Sequence, residues 1–134
     1  FSDNKPQSFY FARLILKNSK DKIIDENLYW LTNSESDWLE LNKLNPVKPE
    51  LKITDKKSGR YTVSVANNAD ETAFFIRLKT VDSRNNELLL PVFYEDNYFT
   101  LFPGEEKELW IDLSQLPDDI SIQKISFEAK AWNN

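Results

Sequence analysis

The sequence predicts an all-β protein built as an antiparallel two-sheet sandwich. Three observations carry this: hydrophobicity alternates with a period of two along the chain, turn-forming residues punctuate it at short intervals, and only one segment has helical spacing. At 134 residues the chain suits one domain, whose core can close without disulfides or a structural metal.

Tyr10 to Leu16 is the first candidate strand. From Lys17 to Lys48 the alternation lapses, which predicts a long irregular excursion of the kind that packs on something else or carries function. Within it, Asp37 to Leu44 reads as a turn or two of helix. Asp37 is the expected N-cap, Glu40 completes a capping box, Trp38 and Leu41 are spaced i, i+3, and Pro46 and Pro49 stop the segment.

Leu51 to Thr54 follows as a strand, and Ser58-Gly59 as a turn. Arg60 to Ala66 is the clearest strand, with Tyr61, Val63 and Val65 on the core face. Phe74, Ile76 and Leu78 point inward against Phe75, Arg77 and Lys79. Leu88 to Phe93 and Tyr98 to Leu101 are weaker candidates. Pro103-Gly104 suits the centre of a type II turn, and Asn67-Asn68 and Asn85-Asn86 mark further turns. Leu109, Ile111 and Leu113 then face the core, opposite Glu108, Trp110 and Asp112. Ser121 to Trp132 closes the chain with Ile125, Phe127 and Ala129 in phase.

Seven to eight strands with little helix predict an immunoglobulin-like antiparallel β-sandwich, with a closed barrel as the alternative. Tyr61, Phe74 and Phe127 are expected in the core. Trp110, Trp132, Phe75, Phe9 and Phe11 fall on outward phases, as large apolar groups do at interfaces. If the last two strands are sheet neighbours, Trp110 and Trp132 share one exposed outer face. Both glycines are expected at positive φ, and Gly104→Val is expected to cost more than Gly59→Val, because Gly104 lies beside the segment that sets the register of Leu109 to Leu113.

Composition narrows the chemistry. With no His and no Cys, a serine triad, a thiol nucleophile and a Cys/His zinc site are excluded. Two glycines in all leave no phosphate-cradling loop, so no cofactor is expected. The net charge of −5 argues against nucleic acid and anionic membrane as partners. The longest apolar stretch, Leu88 to Tyr94, is far too short to span a bilayer. The acidic pairs Glu95-Asp96, Glu105-Glu106 and Asp118-Asp119 point to opposite sides in extended chain, so none makes a two-carboxylate glycosidase site alone. They are expected as solvated turn charges, with no calcium-loop pattern among them. The opening residues, Phe1-Ser2-Asp3-Asn4-Lys5-Pro6, lack an initiator Met and a signal pattern, which suggests one domain, residues 1–134, cut from a larger protein.

The run Leu90-Pro91-Val92-Phe93-Tyr94-Glu95-Asp96-Asn97-Tyr98-Phe99-Thr100-Leu101-Phe102-Pro103-Gly104-Glu105 resembles the Leu-Pro-Val-Phe-Trp-x-Asp-Asn-Tyr-Phe-x-Leu-x-Pro-Gly-Glu run of the immunoglobulin-like C-terminal domain of glycoside hydrolase family 2 enzymes, of the exo-β-glucosaminidase and β-mannosidase type. Asn27-Leu28-Tyr29-Trp30-Leu31 is similar to its Asn-x-Tyr-Trp-Leu segment, and Asn67 followed by Ala73-Phe74-Phe75-Ile76-Arg77-Leu78 adds to the match. Tyr94 departs from the family's Trp. The resemblance implies a non-catalytic sandwich that packs on the other domains of a bacterial, secreted or periplasmic exo-glycosidase and helps shape its substrate entrance. It assigns Asp96, Asn97, Tyr98, Pro103, Gly104 and Glu105 to the family motif and no catalytic or metal-binding residue to this chain. Trp110, Trp132, Trp30 and Tyr94 are candidates for interface or sugar contact, and the alternative reading is a carbohydrate-binding module that holds β-linked oligosaccharide.

Overall fold

The computed structural model describes residues 9–117, 120 and 124–134. The chain divides into two compact units, one ending at Leu44 and one spanning Asn45–Asn134.

In the first unit, β1 (Phe9–Lys17) and β2 (Ile23–Thr32) form an antiparallel hairpin, followed by a 3₁₀ helix, Glu35–Lys43. The predicted excursion from Lys17 to Lys48 is therefore ordered, and it contains a ten-residue strand. Asp25-Glu26-Asn27 break the apolar alternation of β2, which is why the strand is hard to see in the sequence. The turn is built by Asn18, whose Oδ1 accepts the N–H groups of Lys20 (2.9 Å) and Lys22 (3.0 Å), with Asp21 at φ 60°. The helix starts earlier than expected. Ser34 is its N-cap and Asp37 sits three residues in, accepting the Ser34 N–H at 2.9 Å, while Glu40 pairs with Lys43.

The second unit is the sandwich. One sheet has the order β3 (Glu50–Lys57), β4 (Arg60–Ala66), β8 (Glu106–Asp112), β6 (Phe93–Tyr94). The other has β7 (Phe99–Leu101), β5 (Ala73–Asp82), β9 (Ile125–Lys130), and every pairing is antiparallel. The immunoglobulin-like sandwich predicted from alternation is thus present, with seven strands in its two sheets and the hairpin outside them. Tyr61, Val63 and Val65, then Ile76 and Leu78, then Leu109, Ile111 and Leu113 are buried together as expected. Ile125, Phe127 and Ala129 pack against them. The predicted strand from Leu88 to Phe93 shrinks to a bridge between Leu88 and Val81 and the two-residue β6, since Pro91 has no N–H to give a ladder. Of the predicted final strand, Ser121 to Gln123 lie outside the described residues.

β8 and β9 are in different sheets, so Trp110 and Trp132 do not share an outer face. Hydrogen bonds link the sheets and their margins. The Tyr94 and Thr80 hydroxyls meet at 2.9 Å between β6 and β5. Asn133, 8% exposed, accepts the Phe74 N–H at 3.0 Å and donates to the carbonyls of Asn45 (2.8 Å) and Thr72 (2.9 Å).

The space around the two glycines favours the opposite ranking to the one expected from the sequence. Both sit at positive φ, 80° at Gly59 and 76° at Gly104. A Cβ on Gly59 would meet the Ser114 backbone at 3.4 Å, whereas one on Gly104 would meet nothing within 4 Å. Gly59→Val is therefore expected to cost about 1 kcal/mol more than Gly104→Val, from crowding added to a shared backbone strain. Urea melts of the two variants measure the difference.

Candidate functional site

Strand β5 carries one residue too many for its neighbour. Ala73 pairs with Leu101 and Ile76 with Phe99 of β7, so Phe74 and Phe75 together oppose Thr100 alone. Phe75 takes φ 50°, and its N–H donates to Thr100 Oγ1 at 3.2 Å. Phe74 is buried as expected, at 3% exposed, and packs on Phe75 (ring centroids 5.7 Å) and Trp132 (6.1 Å).

Two residues further on, the same register would set Leu78 opposite Asn97. Tyr98, at φ 61°, turns the backbone away before that pairing forms. The Asn97 side chain takes its place: Leu78 N–H donates to Asn97 Oδ1 at 2.7 Å, and Asn97 Nδ2 donates to the Leu78 carbonyl at 3.2 Å. Asn97 Oδ1 also accepts the Tyr98 N–H at 3.0 Å, and the Tyr98 ring lies 5.1 Å from Phe75. The result is a row of rings, Tyr98–Phe75–Phe74–Trp132, whose two end members are 48% and 49% exposed. Two aromatic residues held in the left-handed region cost about 1–3 kcal/mol each, strain that persists only where the surroundings enforce it and that gathers at functional surfaces.

The rest of the motif is structural. Pro103-Gly104 forms the predicted turn, closed by Glu105 N–H donating to the Phe102 carbonyl at 3.1 Å, and the Glu105 carboxylate accepts the Phe102 N–H at 2.8 Å. Buried Asn67 fastens this turn: its N–H donates to the Glu105 carbonyl and its carbonyl accepts from Gly104 N–H, each at 2.9 Å. Its Nδ2 reaches the carbonyls of Glu71 (2.7 Å) and Leu101 (3.0 Å). Asp96 accepts the Asn97 N–H and pairs with Lys107.

The predicted contact residues separate. Trp132 is exposed in the aromatic row. Trp110, expected to be exposed, is half-buried, because the Arg60 guanidinium lies 4.5 Å over its ring and is itself held by Asp112 at 2.8 Å. Phe75, also expected outward, is half-buried by its ring neighbours. Tyr94 packs against the core, where burial pushes its phenol above the usual 10.0. Trp30 lies in β2, in the other unit. The acids are engaged rather than merely solvated: Glu95 accepts the Trp110 N–H at 3.0 Å and Glu106 bonds Ser64. Asp118-Asp119 lie outside the described residues. Among the described residues no three Asp or Glu gather as a metal site, and no helix is long and apolar enough to cross a membrane. Sequence reasoning missed the bulge, although two successive Phe residues in an alternating strand are its trace.

Residues 27–134 match the family model for the exo-β-D-glucosaminidase Ig-fold domain. The chain belongs to this family. It is 33% identical over 148 residues to an exo-β-D-glucosaminidase of Arthroderma benhamiae, a match covering 97% of this chain and 16% of that protein. It is 34% identical over 132 residues to one of Hypocrea virens, covering 78% and 14%. The structure of the Amycolatopsis orientalis exo-chitosanase CsxA superposes with a TM-score of 0.65 at 25% identity, over 95% of this chain and 17% of that one. The chain thus spans about one-sixth of the length of the relatives it matches, and they come from more than one kind of source organism, so the bacterial parent expected from the resemblance has no particular support.

Two expectations follow from the side-chain geometry. Asn97→Ala strands both backbone groups of Leu78 and the Tyr98 N–H, so it is expected to destabilise the fold by about 2–3 kcal/mol in a denaturant melt. Asp112 and Asp82 are each held down from 3.8 to about 2, Asp112 by hydrogen bonds from Ser114 and Arg60, Asp82 by those from Arg84. A lowered carboxyl pKa adds stability above the unfolded value, and that contribution disappears as the pH falls from about 4 to about 2. Melts across this range are expected to show the loss, and the Asp82→Asn, Asp112→Asn double variant is expected to show a flatter pH dependence.

Proposed function

We propose that the chain serves as a non-catalytic accessory domain of an exo-β-glucosaminidase of the family 2 type, and that the Tyr98–Phe75–Trp132 surface docks on the rest of that enzyme. The observation that carries this reading is the match to the Ig-fold domain family over residues 27–134, in a chain spanning only 14–17% of the glucosaminidases and exo-chitosanase it resembles. The chemistry of the chain agrees. Retaining glycosidases need two carboxyl groups about 5–5.5 Å apart across a sugar, and here Glu95, Asp96, Glu105 and Glu106 are each engaged in bonds that hold strands and turns.

Docking explains the strained rings better than sugar binding does. Phe75 is half-buried within the row and Phe74 is buried, so only the end rings, Tyr98 and Trp132, are exposed, and they do not lie next to each other as a paired sugar platform would need. The active site, the substrate and the secreted or periplasmic setting belong, on this reading, to the parent protein, whose substrate entrance this domain would border.

The purified chain is expected to fold cooperatively and to leave nitrophenyl β-D-glucosaminide unhydrolysed. Calorimetric titration with chito- and manno-oligosaccharides is expected to give no heat of binding. Turnover that co-purifies with the chain would overturn the accessory role, and binding heat abolished by Tyr98→Ala would assign the rings to sugar instead.

A further inference from the structure

The β1–β2 hairpin has more apolar surface than a free hairpin can use. Facing pairs Tyr10 with Leu31, Ala12 with Tyr29 and Leu14 with Asn27 line one side. On that side Tyr10, Leu14, Leu16, Tyr29 and Leu31 are all exposed, Leu14 at 62% and Leu16 at 58%. The opposite side is apolar too, with Phe9, Phe11, Leu28 and Trp30, and the 3₁₀ helix reaches it through Trp38, whose ring lies 5.7 Å from Phe9. An antiparallel sheet with one wetted face is normally polar on that face. Apolar residues on both mark a sheet covered on both sides. A two-stranded sheet is also marginal alone, and among the described residues no third strand pairs with this one.

Two further observations say what covers it. The Ig-fold family match begins at residue 27, inside β2, so all of β1 falls outside the family domain, yet the Arthroderma benhamiae relative matches 97% of the chain. β1 and the start of β2 therefore travel with the longer protein without being part of the family domain. Some five-sixths of that relative's length lies outside the match, which leaves ample polypeptide to supply strands.

We propose that β1 and β2 are two strands of a second β-domain, whose remaining strands come from the parent polypeptide outside residues 1–134 and whose core receives the Tyr10–Leu14–Leu16–Tyr29–Leu31 face. This rests on the accessory-domain reading only in assuming a longer parent chain. The edge strand supplies main-chain hydrogen bonds and the face supplies the buried surface, as in strand addition generally.

Hydrogen exchange read by mass spectrometry tests it on the chain of residues 1–134 and on the parent enzyme. In the chain alone the amides of β1 and β2 are expected to exchange about 100-fold faster than those of β4 and β8, and in the parent to slow to about the rate of those core strands. The Leu14→Asp, Leu31→Asp variant is expected to leave the unfolding midpoint of the 1–134 chain unchanged and to restore fast exchange of the hairpin in the parent. Hairpin amides as protected in the chain alone as those of β4, or fast in both proteins, would overturn the inference while leaving the accessory role standing. A dimer of the 1–134 chain in sedimentation that dissociates in the double variant would also overturn it, by making a second copy the occupant. A parent lacking glucosaminidase activity would contradict the accessory role and leave the exchange result to decide the hairpin.

Discussion

The hydrogen bonds between the Asn97 amide and both backbone groups of Leu78 are what the outer surface of the three-stranded sheet depends on. Buried peptide groups must be paired, and a side-chain amide offers the same donor and acceptor as the peptide it replaces. Because Asn97 satisfies Leu78 by side chain, its own backbone is released, and Tyr98 can turn into the left-handed region without leaving an orphan behind. Upstream, the extra residue of β5 does the complementary thing, turning Phe75 toward Tyr98. Strain at two aromatic residues is thus offset by a pairing that neither ring makes.

The motif Asp-Asn-Tyr-Phe…Pro-Gly-Glu acquires a physical meaning from this. Asn97 is the substitute peptide, Tyr98 the residue that leaves the strand, Phe99 the one that returns to the core, and Pro103 to Glu105 the turn that sends the chain into β8. Asn67 and Asn133 act in the same way at the margins, each using a full amide to satisfy several carbonyls or N–H groups. Buried amides of this kind specify one arrangement, since any slip leaves them unpaired.

What was legible in the sequence was whatever follows from alternation and from turn chemistry. Tyr61, Val63 and Val65, or Leu109, Ile111 and Leu113, declare their face because every second residue is apolar and the strands are regular. Pro103-Gly104 and Ser58-Gly59 declare their turns because few other residues tolerate those dihedrals. Phe74 is buried as its phase predicts, but the bulge beside it was not legible, because an extra residue changes the register without changing the composition. Trp110 was misread. Trp110 kept its outward phase, but Arg60, its diagonal neighbour across the β4–β8 ladder, covers it, and phase is blind to cross-strand partners. β2 was missed because three polar residues, Asp25-Glu26-Asn27, interrupt its alternation. The identity of the domain, in contrast, was carried by the long motif run, whose residues are mostly turn-makers and amides rather than alternating apolar groups.

The central claim is that the exposed ends of the aromatic row are a docking surface rather than a wet or sugar-binding one. Hydroxyl-radical footprinting of Tyr98 and Trp132 in the isolated chain and in the parent enzyme, without added sugar, reads this most directly. The account predicts strong labelling of both rings in the chain and severalfold weaker labelling in the parent. Equal labelling in the two would contradict it.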